Sequence, residues 1–592
     1  MSWQQENTSV IATQPPGAVE MSRLKVPVRV GLLVNSFIQP QWVYKIIADI
    51  QLSTVAHVVL MIKIDNVNAR RKKLIPRIAD NINYCLYMAY ITLDDFLSRV
   101  NTNACTNMDI EQLISAYPII QVRTLKEKDG NSLRQEDITA IHKYSLDVVL
   151  DLSFQNIRSN SVHIAKYGIW SYCDEWGRVG HRVPSGFWEV MRGQPVTEVT
   201  LRVLQERGNE KVICRSYVAT NMFSVKRNRN DFLWRSSSII LKKIIEIYEN
   251  GYLQLEDESS YSSDNINYTY IQEDPTNLHI FPCLLSILVK YSLYKIEKLL
   301  YYDQWFISYK IEENESYIGD APYHFKPLMP PQGAFWADPF PVKSRDHYFI
   351  FIEEYIYKKK KGHISVIEMD NKGKYKNCMK VLEKDYHLSY PFIFLWHGDF
   401  YMIPEAAQSR RIEIYRCTSF PLDWTLEAIL LSDIKGVDAT LAEINGLWWM
   451  FVNIGIDGTS NDVELHLFYA NTPFGPWYPH KRNPVKSDVR SARSAGRIFV
   501  WQGEMYRPSQ DCSEGYGHAV SIHKIIGIDP DRYIEAEVSK ILPQWSRNVV
   551  ANHTLNSWDN LIVIDGMRKA FKYRLPGAPK RALSPTCISA MV

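Results

Sequence analysis

The stretch GAFWADPFPVKSRDHYFIFIEEYI, residues 333–356, contains the pattern that decides the fold of the C-terminal half. Two runs rich in apolar and aromatic residues flank the polar sequence KSRD, which predicts two antiparallel strands joined by a tight turn. Comparable strands recur at GDFYMIPEA (398–406), GLWWMFVNI (446–454) and GEMYRPSQD (503–511). The sequence therefore predicts a repeated unit of short antiparallel strands.

Five such units can be counted between residues 304 and 575. Successive units begin about fifty residues apart, which is typical of the blades of a β-propeller. The fifth unit is short, and the early strand WFISYKI (305–311) is expected to complete it and close the ring, since closure removes open sheet edges. The predicted units begin near Ala337, Tyr390, Val437, Gly496 and His553.

The N-terminal part has a different pattern, in which continuous apolar runs alternate with helical stretches. The runs VRVGLLVN (28–35), HVVLMIKI (57–64) and LDVVLDLS (146–153) are rich in β-branched residues, and a helical stretch at 42–52 separates the first two. Buried strands that alternate with helices predict a parallel sheet covered on both faces, as in Rossmann-like α/β domains. The first strand is not followed by GxGxxG, so no dinucleotide site is predicted.

These patterns divide the chain into five segments. The apolar segment 280–293 contains Lys290 and is too short to span a membrane, so we interpret it as a packed helix or, alternatively, as a helix lying on a membrane surface. The predicted segments are a disordered leader (1–25), an α/β domain (26–248), a linker and helix (249–303), the propeller (304–575) and a tail (576–592).

The composition excludes several functional classes. Of the 592 residues, 68 are Lys or Arg and 65 are Asp or Glu, and a net charge of +3 is not typical of a nucleic-acid-binding protein. Nine cysteines with neither a CxxC pair nor zinc-site spacing favour reduced thiols in a cytoplasmic protein. The sequence predicts no secretory signal and no transmembrane segment.

Residues 167–204, YGIWSYCDEWGRVGHRVPSGFWEVMRGQPVTEVTLRVL, resemble the formyltransferase family. In that family a Gly-led strand is followed by a Pro/Gly loop, a helix and a T-x-V-T strand. The resemblance covers about residues 26–245 and implies a Rossmann-like formyltransferase-type domain. The residues that match the family are Gly168, Pro184, Gly186, Phe187, Trp188, Gly193, Thr197, Val199 and Thr200.

The catalytic residues implied by this resemblance are replaced in the chain. The family uses an Asn to hold the transition-state oxygen, a His as acid–base and a later Asp, and these positions align with Ser171, Cys173 and Arg207. A one-residue shift brings Asp174 or His181 nearby. The resemblance therefore implies a degenerate site for which tetrahydrofolate is not expected, and the alternative is a site rebuilt from Cys173, Asp174 and His181.

The propeller resembles two families through its motifs. The Asp-Pro pair at 338–339 is similar to that of the five-bladed arabinanase-like glycosidases. A closer resemblance is to the propeller domain of plant glucosamine inositolphosphorylceramide transferases and to bacterial proteins that pair it with a formyltransferase-like domain. The motifs that match are WADPF (336–340), HLSYPFIF (387–394), YMIPEA (401–406), FPLDWTLE (420–427), TPFGPWYPHKRNP (472–484), YRPSQDCSEGYG (506–517) and HTLN (553–556).

The inner strands of a propeller begin around a central funnel, so their first side chains are expected to converge on one pocket. The catalytic candidates are Asp338, Glu405 and Asp438, because sugar chemistry needs an acid and a base. The glycosidase resemblance implies a Glu in the fourth blade, where RSARSAGR (490–497) stands instead, so Glu405 would have to substitute. The substrate-binding candidates are Trp336, His387, Tyr390, Arg493, Arg497, Arg507, Gln510, Asp511, Tyr516 and His553.

Carboxylates, arginines and aromatic rings in one funnel suit a polyhydroxylated or phosphorylated ligand. The sequence therefore predicts glycosyl transfer to a hydroxyl acceptor, with a nucleotide sugar as the candidate donor and a small molecule or glycan as substrate. An arginine would stabilise the departing charge while Asp338 or Asp438 activates the acceptor. The alternatives are a glycoside hydrolase, an acyl- or formyl-type tailoring transferase and a non-catalytic glycan-binding scaffold.

Structural roles compete with these chemical ones at three positions. The Asp of an Asp-Pro turn commonly caps backbone amides, which is the alternative for Asp338. Glu405 can pair with an arginine inside the propeller, and His553 can be a core histidine that bonds a backbone carbonyl. Where these side chains lie therefore decides between structure and chemistry.

Overall fold

The computed structural model divides the chain into two compact units, Met1–Leu288 and Val289–Val592. Cys173, Asp174, His181 and Arg207, together with the predicted leader up to residue 24 and the predicted tail, lie outside the described residues. The structure describes residues 25–65, 82–127, 130–153, 157, 163–172, 183–204, 210–256, 275–312, 325–455, 458–546 and 548–573.

The first unit contains eleven named strands in its described residues. In chain order they are β1 (Val28–Val34), β2 (Ile38–Pro40), β3 (Ala56–Ile64), β4 (Asn107–Asp109), β5 (Ile119–Val122), β6 (Thr124–Glu127), β7 (Gly130–Leu133), β8 (Val148–Asp151), β9 (Ile169–Tyr172), β10 (Val196–Leu204) and β11 (Glu210–Ala219). Its helices are α1 (Gln41–Leu52), α2 (Cys85–Leu97), α3 (Glu111–Ile114), α4 (Gln135–His142), α5 (Phe187–Arg192) and α6 (Val225–Asn250).

Seven of these strands form one mixed sheet in the order β11-β10-β9-β8-β1-β3-β5. Strands β5, β3, β1, β8 and β9 are parallel to one another, as the apolar runs predict. Strands β10 and β11 extend the sheet in the antiparallel sense, so the sheet is mixed rather than wholly parallel. The buried residues of β1 from Val30 to Val34 and the apolar side of α1 supply its core.

The turn before α5 shows why a glycine is needed at position 186. Gly186 has a φ of 74°, and the amide side chain of Asn228 donates to its carbonyl at 2.9 Å. A Cβ at this position would lie 2.3 Å from the Asn228 amide nitrogen. The same amide nitrogen donates to the hydroxyl of Thr197 at 3.0 Å, so α5, α6 and β10 meet at one polar contact.

A long helix, α7 (Asn277–Leu300), follows the residues of the predicted linker. Its first half packs on the first unit, where Ile280 is fully buried against Tyr87 of α2 and Phe187 of α5. Neither this helix nor any other helix among the described residues has the length and apolar content required to cross a membrane.

The second unit is a five-bladed β-propeller. In chain order its strands are β12 (Tyr301–Ile311), β13 (Lys326–Leu328), β14 (Ala334–Ser344), β15 (His347–Ile356), β16 (Lys361–Asp370), β17 (Tyr375–Leu382), β18 (Ser389–Trp396), β19 (Asp399–Glu405), β20 (Arg411–Ser419), β21 (Asp423–Ser432), β22 (Gly436–Ile444), β23 (Leu447–Ile454), β24 (Glu464–Ala470), β25 (Tyr478–Pro479), β26 (Lys486–Ser487), β27 (Phe499–Trp501), β28 (Glu504–Asp511), β29 (Ala519–Asp529), β30 (Arg532–Ile541), β31 (Leu555–Trp558) and β32 (Leu561–Phe571).

Four blades are formed by consecutive strands: β14–β17, β18–β21, β22–β25 with β26 paired to β24, and β27–β30. The fifth blade has the order β13-β12-β32-β31 and combines strands from both ends of the unit. Strand β12 pairs with β32 along its whole length, from Tyr301–Phe571 to Ile311–Leu561. The predicted closure of the ring by residues 305–311 is therefore confirmed, with the strand beginning at Tyr301 rather than Trp305.

Candidate functional site

The first three blades each have a β-bulge where the inner strand begins. The pairing register shifts by an extra residue between Ala337 and Phe340, and again at the corresponding place in the next two blades. Within each bulge one residue has a positive φ: Asp338 (52°), Tyr390 (41°) and Asp438 (52°). Such bulges re-aim side chains, and these three are all buried.

The neighbouring strands place a second equivalent set beside these bulges. Glu353 pairs with Ala337 in the first blade, Glu405 pairs with Ser389 in the second, and Asn453 pairs with Val437 in the third. Glutamates in the first two blades therefore lie beside the bulges, where the third blade has an amide.

The first group of charges, which we call the histidine cluster, consists of Asp338, His553 and Asp565. His553 lies between the two carboxylates, with Nε2 3.2 Å from Asp338 Oδ1 and Nδ1 2.7 Å from Asp565 Oδ2. Asp338 also accepts from the Thr554 hydroxyl at 2.8 Å and from the Tyr390 amide at 3.1 Å. The Asp338 amide in turn donates to Asp565 Oδ2 at 3.1 Å, which joins the first and fifth blades.

The histidine cluster is held in its ionised form. Burial opposes protonation of His553, but Asp565 and Asp338 outweigh it and raise the pKa of the imidazole to about 10. Burial likewise works to raise the pKa of Asp338, but His553, Thr554 and the Tyr390 amide hold that pKa below its ordinary value. All three side chains are almost wholly inaccessible, so the cluster is a sealed carboxylate–imidazolium–carboxylate triad.

The same three residues are also of the types that bind metal ions in proteins. One ligand atom from each lies within 4.8 Å of the others, which is close enough for a cation. The Oδ1 atom of Asp565, however, already accepts the backbone amides of His553 and Thr554, and a histidine with a pKa near 10 keeps the proton that a metal would displace. The contacts fit an ion triad better than a metal centre.

Glu353 adjoins the histidine cluster and contacts His387. Burial, followed by the charge of Asp338, raises the pKa of Glu353 well above its ordinary value. His387 accepts the Gly362 amide at Nδ1 (2.9 Å), and its Nε2 lies 3.3 Å from Glu353 Oε1. Burial lowers the pKa of His387, so a neutral imidazole with its proton on Nε2 fits these contacts.

The second group of charges, which we call the arginine cluster, surrounds Arg493. Its Nε donates to Asp438 Oδ2 at 2.6 Å, and its two terminal nitrogens reach Asp462 Oδ1 at 2.7 Å and Glu405 Oε2 at 3.4 Å. Asp438 also accepts from the Gln510 amide at 3.0 Å. One guanidinium therefore contacts three carboxyl groups, one more than the imidazole of the histidine cluster contacts.

This excess of carboxyl groups is relieved at Glu405. Burial, followed by the charge of Asp438, raises the pKa of Glu405 well above its ordinary value, although Arg493 opposes the shift. A protonated Glu405 hydrogen-bonds to Asp438. The side chain of Glu405 is 14% exposed and that of Asp462 is 21% exposed, whereas that of Asp438 is 3% exposed. The arginine cluster thus presents to the solvent a carboxyl group with a raised pKa, Glu405, and the more exposed side chain of Asp462.

An aromatic ring links the two clusters. The Tyr516 ring lies 4.9 Å from the Arg493 guanidinium carbon and packs edge-on against the His553 ring at 5.3 Å. Tyr516 is 48% exposed. The Trp305 ring also packs against the His553 ring, with the ring centroids 4.2 Å apart. Tyr516 therefore offers an accessible aromatic surface beside the arginine cluster.

The structure places the remaining candidates elsewhere. The Trp336 indole is buried and donates to Glu354, and the buried Tyr390 hydroxyl contacts Thr440 at 2.8 Å, so neither ring offers a stacking surface. Arg497 donates to backbone carbonyls of the second and fifth blades.

Arg507 and Asp511 are used within the fourth blade. The guanidinium of Arg507 pairs with Glu535 at 2.7 Å and also donates to the Ser491 carbonyl at 2.7 Å. Asp511 accepts from Ser513 and from Lys540. In the first unit, Ser171 lies on β9, paired with Arg202 of β10, while its predicted partners are outside the described residues.

Sequence reasoning missed three acidic residues. Glu353 lies at the register position that Glu405 occupies one blade later, so aligning the blades would have found it. Asp565 lies on the strand next to His553, and Asp462 lies on a connection where no repeat pattern marks it. Of the sequence candidates, the structure brings Asp438, Glu405, Arg493, Gln510 and Tyr516 together in one cluster.

A family model described as the N-terminal part of glucosamine inositolphosphorylceramide transferase 1 matches residues 329–560, which is most of the propeller. Glucosamine inositolphosphorylceramide transferase 1 of Oryza sativa subsp. japonica is 38% identical over 209 residues, covering 35% of this chain and 28% of the rice protein. The Arabidopsis thaliana protein of the same name is 35% identical over 211 residues, covering 34% of this chain and 27% of that protein. The chain therefore spans less than a third of the length of these relatives.

Solved structures also match the chain. Zg3597, a family 117 glycoside hydrolase of Zobellia galactanivorans, has 12% identity and a TM-score of 0.30, covering 45% of this chain and 90% of that one. The GH43_1 enzyme from Xanthomonas citri complexed with xylose has 10% identity and a TM-score of 0.30, covering 41% and 88%. In its sequence, the propeller of this chain is similar to part of the plant proteins named as transferases.

Proposed function

We propose that the chain is a glycosyltransferase whose chemistry takes place at the arginine cluster of the propeller. The observation that carries this proposal is Glu405: a carboxyl group with a raised pKa, partly exposed, and adjacent to a second carboxylate and a guanidinium. A carboxyl group with a raised pKa is suited to act as a general acid. The similarity to plant proteins named as transferases supports transfer rather than binding alone.

In the proposed step the bond between the anomeric carbon and its leaving-group oxygen breaks, and Glu405 donates its proton to that oxygen. An acceptor hydroxyl bonds to the anomeric carbon and gives its proton to Asp462, the most exposed carboxylate of the cluster. Arg493 is placed to stabilise negative charge that develops on the leaving group. Asp438 is too deeply buried to touch substrate, and its role is to hold Glu405 protonated and Arg493 in place.

We further propose a nucleotide sugar as the donor and a hydroxyl of an inositolphosphoryl headgroup as the acceptor. The names of the plant relatives join glucosamine to inositolphosphorylceramide, which supports this choice. Hydrolysis of a glycoside is the second candidate, because an acid and a second carboxyl group are what a glycosidase needs. In that reaction water takes the place of the acceptor hydroxyl.

The test measures nucleotide release by the full-length chain from UDP-N-acetylglucosamine, UDP-glucose and GDP-mannose, with and without phosphatidylinositol. We expect acceptor-dependent release that falls at least about 100-fold in Glu405→Gln, the lower range for loss of a general acid. Glu443→Gln is the matched control, because Glu443 is an exposed glutamate of the third blade. Cleavage of nitrophenyl glycosides, lost in Glu405→Gln, would favour hydrolysis instead, and turnover in neither assay would contradict both candidates.

We also propose that the first unit is a degenerate formyltransferase-like domain. The order of elements supports this assignment, since Gly168, β9, the Gly186 turn, α5 and β10 follow one another as the family requires. Ser171 occupies the position that aligns with the family's Asn. The domain is expected to give no shift in melting temperature with 10-formyltetrahydrofolate, whereas a shift that Ser171→Ala alters would contradict the assignment.

A further inference from the structure

Glu353 and His387 form a polar pair in the propeller, and their hydrogen-bonding capacity is only partly used. The side chain of Glu353 is 8% exposed and that of His387 is 32% exposed. The Glu353 Oε1 and His387 Nε2 atoms lie 3.3 Å apart, and no other described residue hydrogen-bonds to the Glu353 carboxyl group or to His387 Nε2. A buried carboxyl group without a donor is costly, so a bound molecule is expected to complete this pair.

A glycine allows the two side chains to approach each other. Gly362 lies opposite Tyr355 in the pairing of β15 with β16, and its amide donates to His387 Nδ1 at 2.9 Å. A Cβ at this position would lie 2.7 Å from both Glu353 Oε1 and His387 Cε1, and 2.8 Å from the Leu388 carbonyl oxygen. Any larger residue would therefore separate the pair or displace the backbone.

Two aromatic rings lie next to the polar pair. Tyr355 follows Glu353 by two residues on β15, so both side chains are on the same face of that strand. The Tyr355 ring stacks on the Phe335 ring with the centroids 4.7 Å apart, and its centroid is 6.0 Å from that of the His387 ring. Both aromatic side chains are partly exposed. Aromatic rings beside hydrogen-bonding groups suit a ligand that has both C–H surface and hydroxyl groups.

The strand pairing places this pair next to the arginine cluster. Ser389, two residues after His387, pairs with Glu405 between β18 and β19. The His387 amide also donates at 3.3 Å to the side-chain oxygen of Gln408, which is three residues after Glu405. The pair is therefore adjacent, along two bonded strands, to the carboxyl group for which we propose the acid role.

The electrostatics of the pair favour a neutral ligand. Burial, followed by the charge of Asp338, raises the pKa of Glu353, and burial lowers the pKa of His387, so each shift favours the uncharged form. An imidazole N–H and a carboxyl group 3.3 Å apart offer a donor and an acceptor to hydroxyl groups. Among the described residues, no guanidinium or ammonium group pairs with Glu353 or contacts His387, whereas phosphate recognition typically uses such cations. Sugars and cyclitols combine neighbouring hydroxyl groups with an apolar ring face.

We propose that Glu353, His387 and the Tyr355 ring bind a neutral polyhydroxylated ring, a sugar or a cyclitol, beside the arginine cluster. The inference rests on the proposed function for the role of this ring in transfer, where it is the part of the substrate next to Glu405. Binding is measured without a donor, so the two proposals can fail separately. Nucleotide release without ring binding would overturn this inference alone, and ring binding without nucleotide release would contradict only the proposed function.

The test is saturation-transfer NMR of the full-length chain with myo-inositol and with methyl β-D-glucopyranoside, titrated to give a Kd for each, and with glycerol as the open-chain control. We expect a ring compound to bind more tightly than glycerol. Its Kd should rise about 2- to 12-fold in Tyr355→Ala and in Glu353→Met, the effect of losing one ring contact or one neutral hydrogen bond. Tighter binding of myo-inositol would assign the site to a cyclitol headgroup, and tighter binding of the glucoside would assign it to a sugar residue.

The conservative variant Glu353→Gln separates binding from a structural role. An amide offers an acceptor and a donor in the places of a protonated carboxyl group, so its Kd should stay within about twofold of that of the native chain. A loss as large as that of Glu353→Met would overturn the neutral hydrogen bonding proposed for this carboxyl group.

The matched controls are Tyr375→Ala, at an exposed tyrosine on the outermost strand of the same blade, and Glu443→Met, at an exposed glutamate of the third blade. Neither is expected to change the Kd. The proposal is overturned if no ring compound binds more tightly than glycerol, or if the controls weaken binding equally. It is also overturned if Tyr355→Ala and Glu353→Met lower the melting temperature and leave the Kd unchanged, because a water molecule would then complete the pair.

Discussion

The histidine cluster and the arginine cluster both contact Tyr516 and both begin at a β-bulge of an inner strand, yet they differ in how their charges are balanced. Asp338 and Asp438 both lie in a bulge with a φ of 52° and are both buried. Around Asp338, one imidazolium lies between two carboxylates, and backbone amides and Thr554 satisfy the remaining oxygens. Around Asp438, one guanidinium serves three carboxyl groups.

The difference indicates which cluster is structural and which is chemical. The buried histidine cluster offers no exposed face to a ligand, and its contacts join the first and fifth blades. The arginine cluster has three carboxyl groups for one cation, and the pKa of Glu405 is raised while its side chain stays partly accessible. Perturbed pKa values at accessible positions are characteristic of functional sites.

The largest effect on stability is expected from His553→Leu. Removing the imidazolium leaves Asp338 and Asp565 buried without a counter-charge, and breaking a buried ion pair in this way typically costs about 3–5 kcal/mol. Urea denaturation measures the loss. His142→Leu, at an exposed histidine of α4, is the control and is expected to change the free energy of unfolding by less than about 0.5 kcal/mol. A small loss in His553→Leu would show that the cluster does not hold the blades together.

The same histidine predicts a pH dependence of stability. Because its pKa is raised to about 10 in the folded chain and is about 6.5 when unfolded, the folded state binds more protons between those values. Its contribution is therefore fully present below pH 6.5 and is lost as the pH rises toward 10. The free energy of unfolding should fall over this interval, and the part of the slope due to His553 should be absent in His553→Leu. A slope that persists unchanged in the variant would contradict the assignment.

The next effect separates Glu405 from its equivalent, Glu353. Both carboxyl groups have raised pKa values, but only Glu405 borders the exposed part of the arginine cluster. If Glu405 is the acid, activity falls as the pH rises through its raised pKa, and Glu353→Gln keeps this limb of the pH profile. In Glu405→Gln the residual activity should lack the limb. The reverse result would identify Glu353, which contacts His387, as the general acid.

A smaller effect is expected from Arg493→Lys, which keeps the charge but loses the geometry. A single ammonium cannot reach three carboxyl groups in the directions that the guanidinium uses, so we expect a loss of about 1–3 kcal/mol in the free energy of unfolding and reduced activity. Arg416→Lys is the control, because Arg416 pairs with Asp399 at an exposed site, where such pairs contribute little. Equal losses in both variants would contradict a special role for Arg493.

The architecture of the propeller could be predicted from the sequence because its determinants are local. Strand length, turn residues and a repeat of about fifty residues all lie in consecutive stretches of chain. The extension of the first unit's sheet by β10 and β11 was not predicted, because strand direction depends on how distant segments pair. Closure by β12 was predicted only because the fifth unit was visibly one strand short.

The site was predicted in part for a similar reason. The Asp-Pro motif and the repeat indicated Asp338 and Asp438, but only the register showed that Glu353 and Glu405 are equivalent. Arginines were harder, since Arg493 and Arg497 lie outside the named strands whereas Arg507 lies on β28. Only Arg493 contacts the carboxyl groups of the arginine cluster. Arg497 donates to backbone carbonyls, and Arg507 pairs with Glu535. Side-chain direction outside regular strands is set by packing that the sequence pattern does not record.

The smallest overall effect, on stability alone, is expected from Tyr390→Phe, at the bulge of the second blade. The Tyr390 hydroxyl contacts Thr440 at 2.8 Å and accepts the Gly496 amide at 2.9 Å, so its removal leaves a buried donor unpaired and should cost about 1–3 kcal/mol. Activity should be retained, because the side chain is fully buried. Loss of activity at unchanged stability would place Tyr390 in contact with substrate. Because the Tyr390 amide donates to Asp338, that result would also place chemistry beside the histidine cluster and remove the distinction between a structural and a chemical cluster.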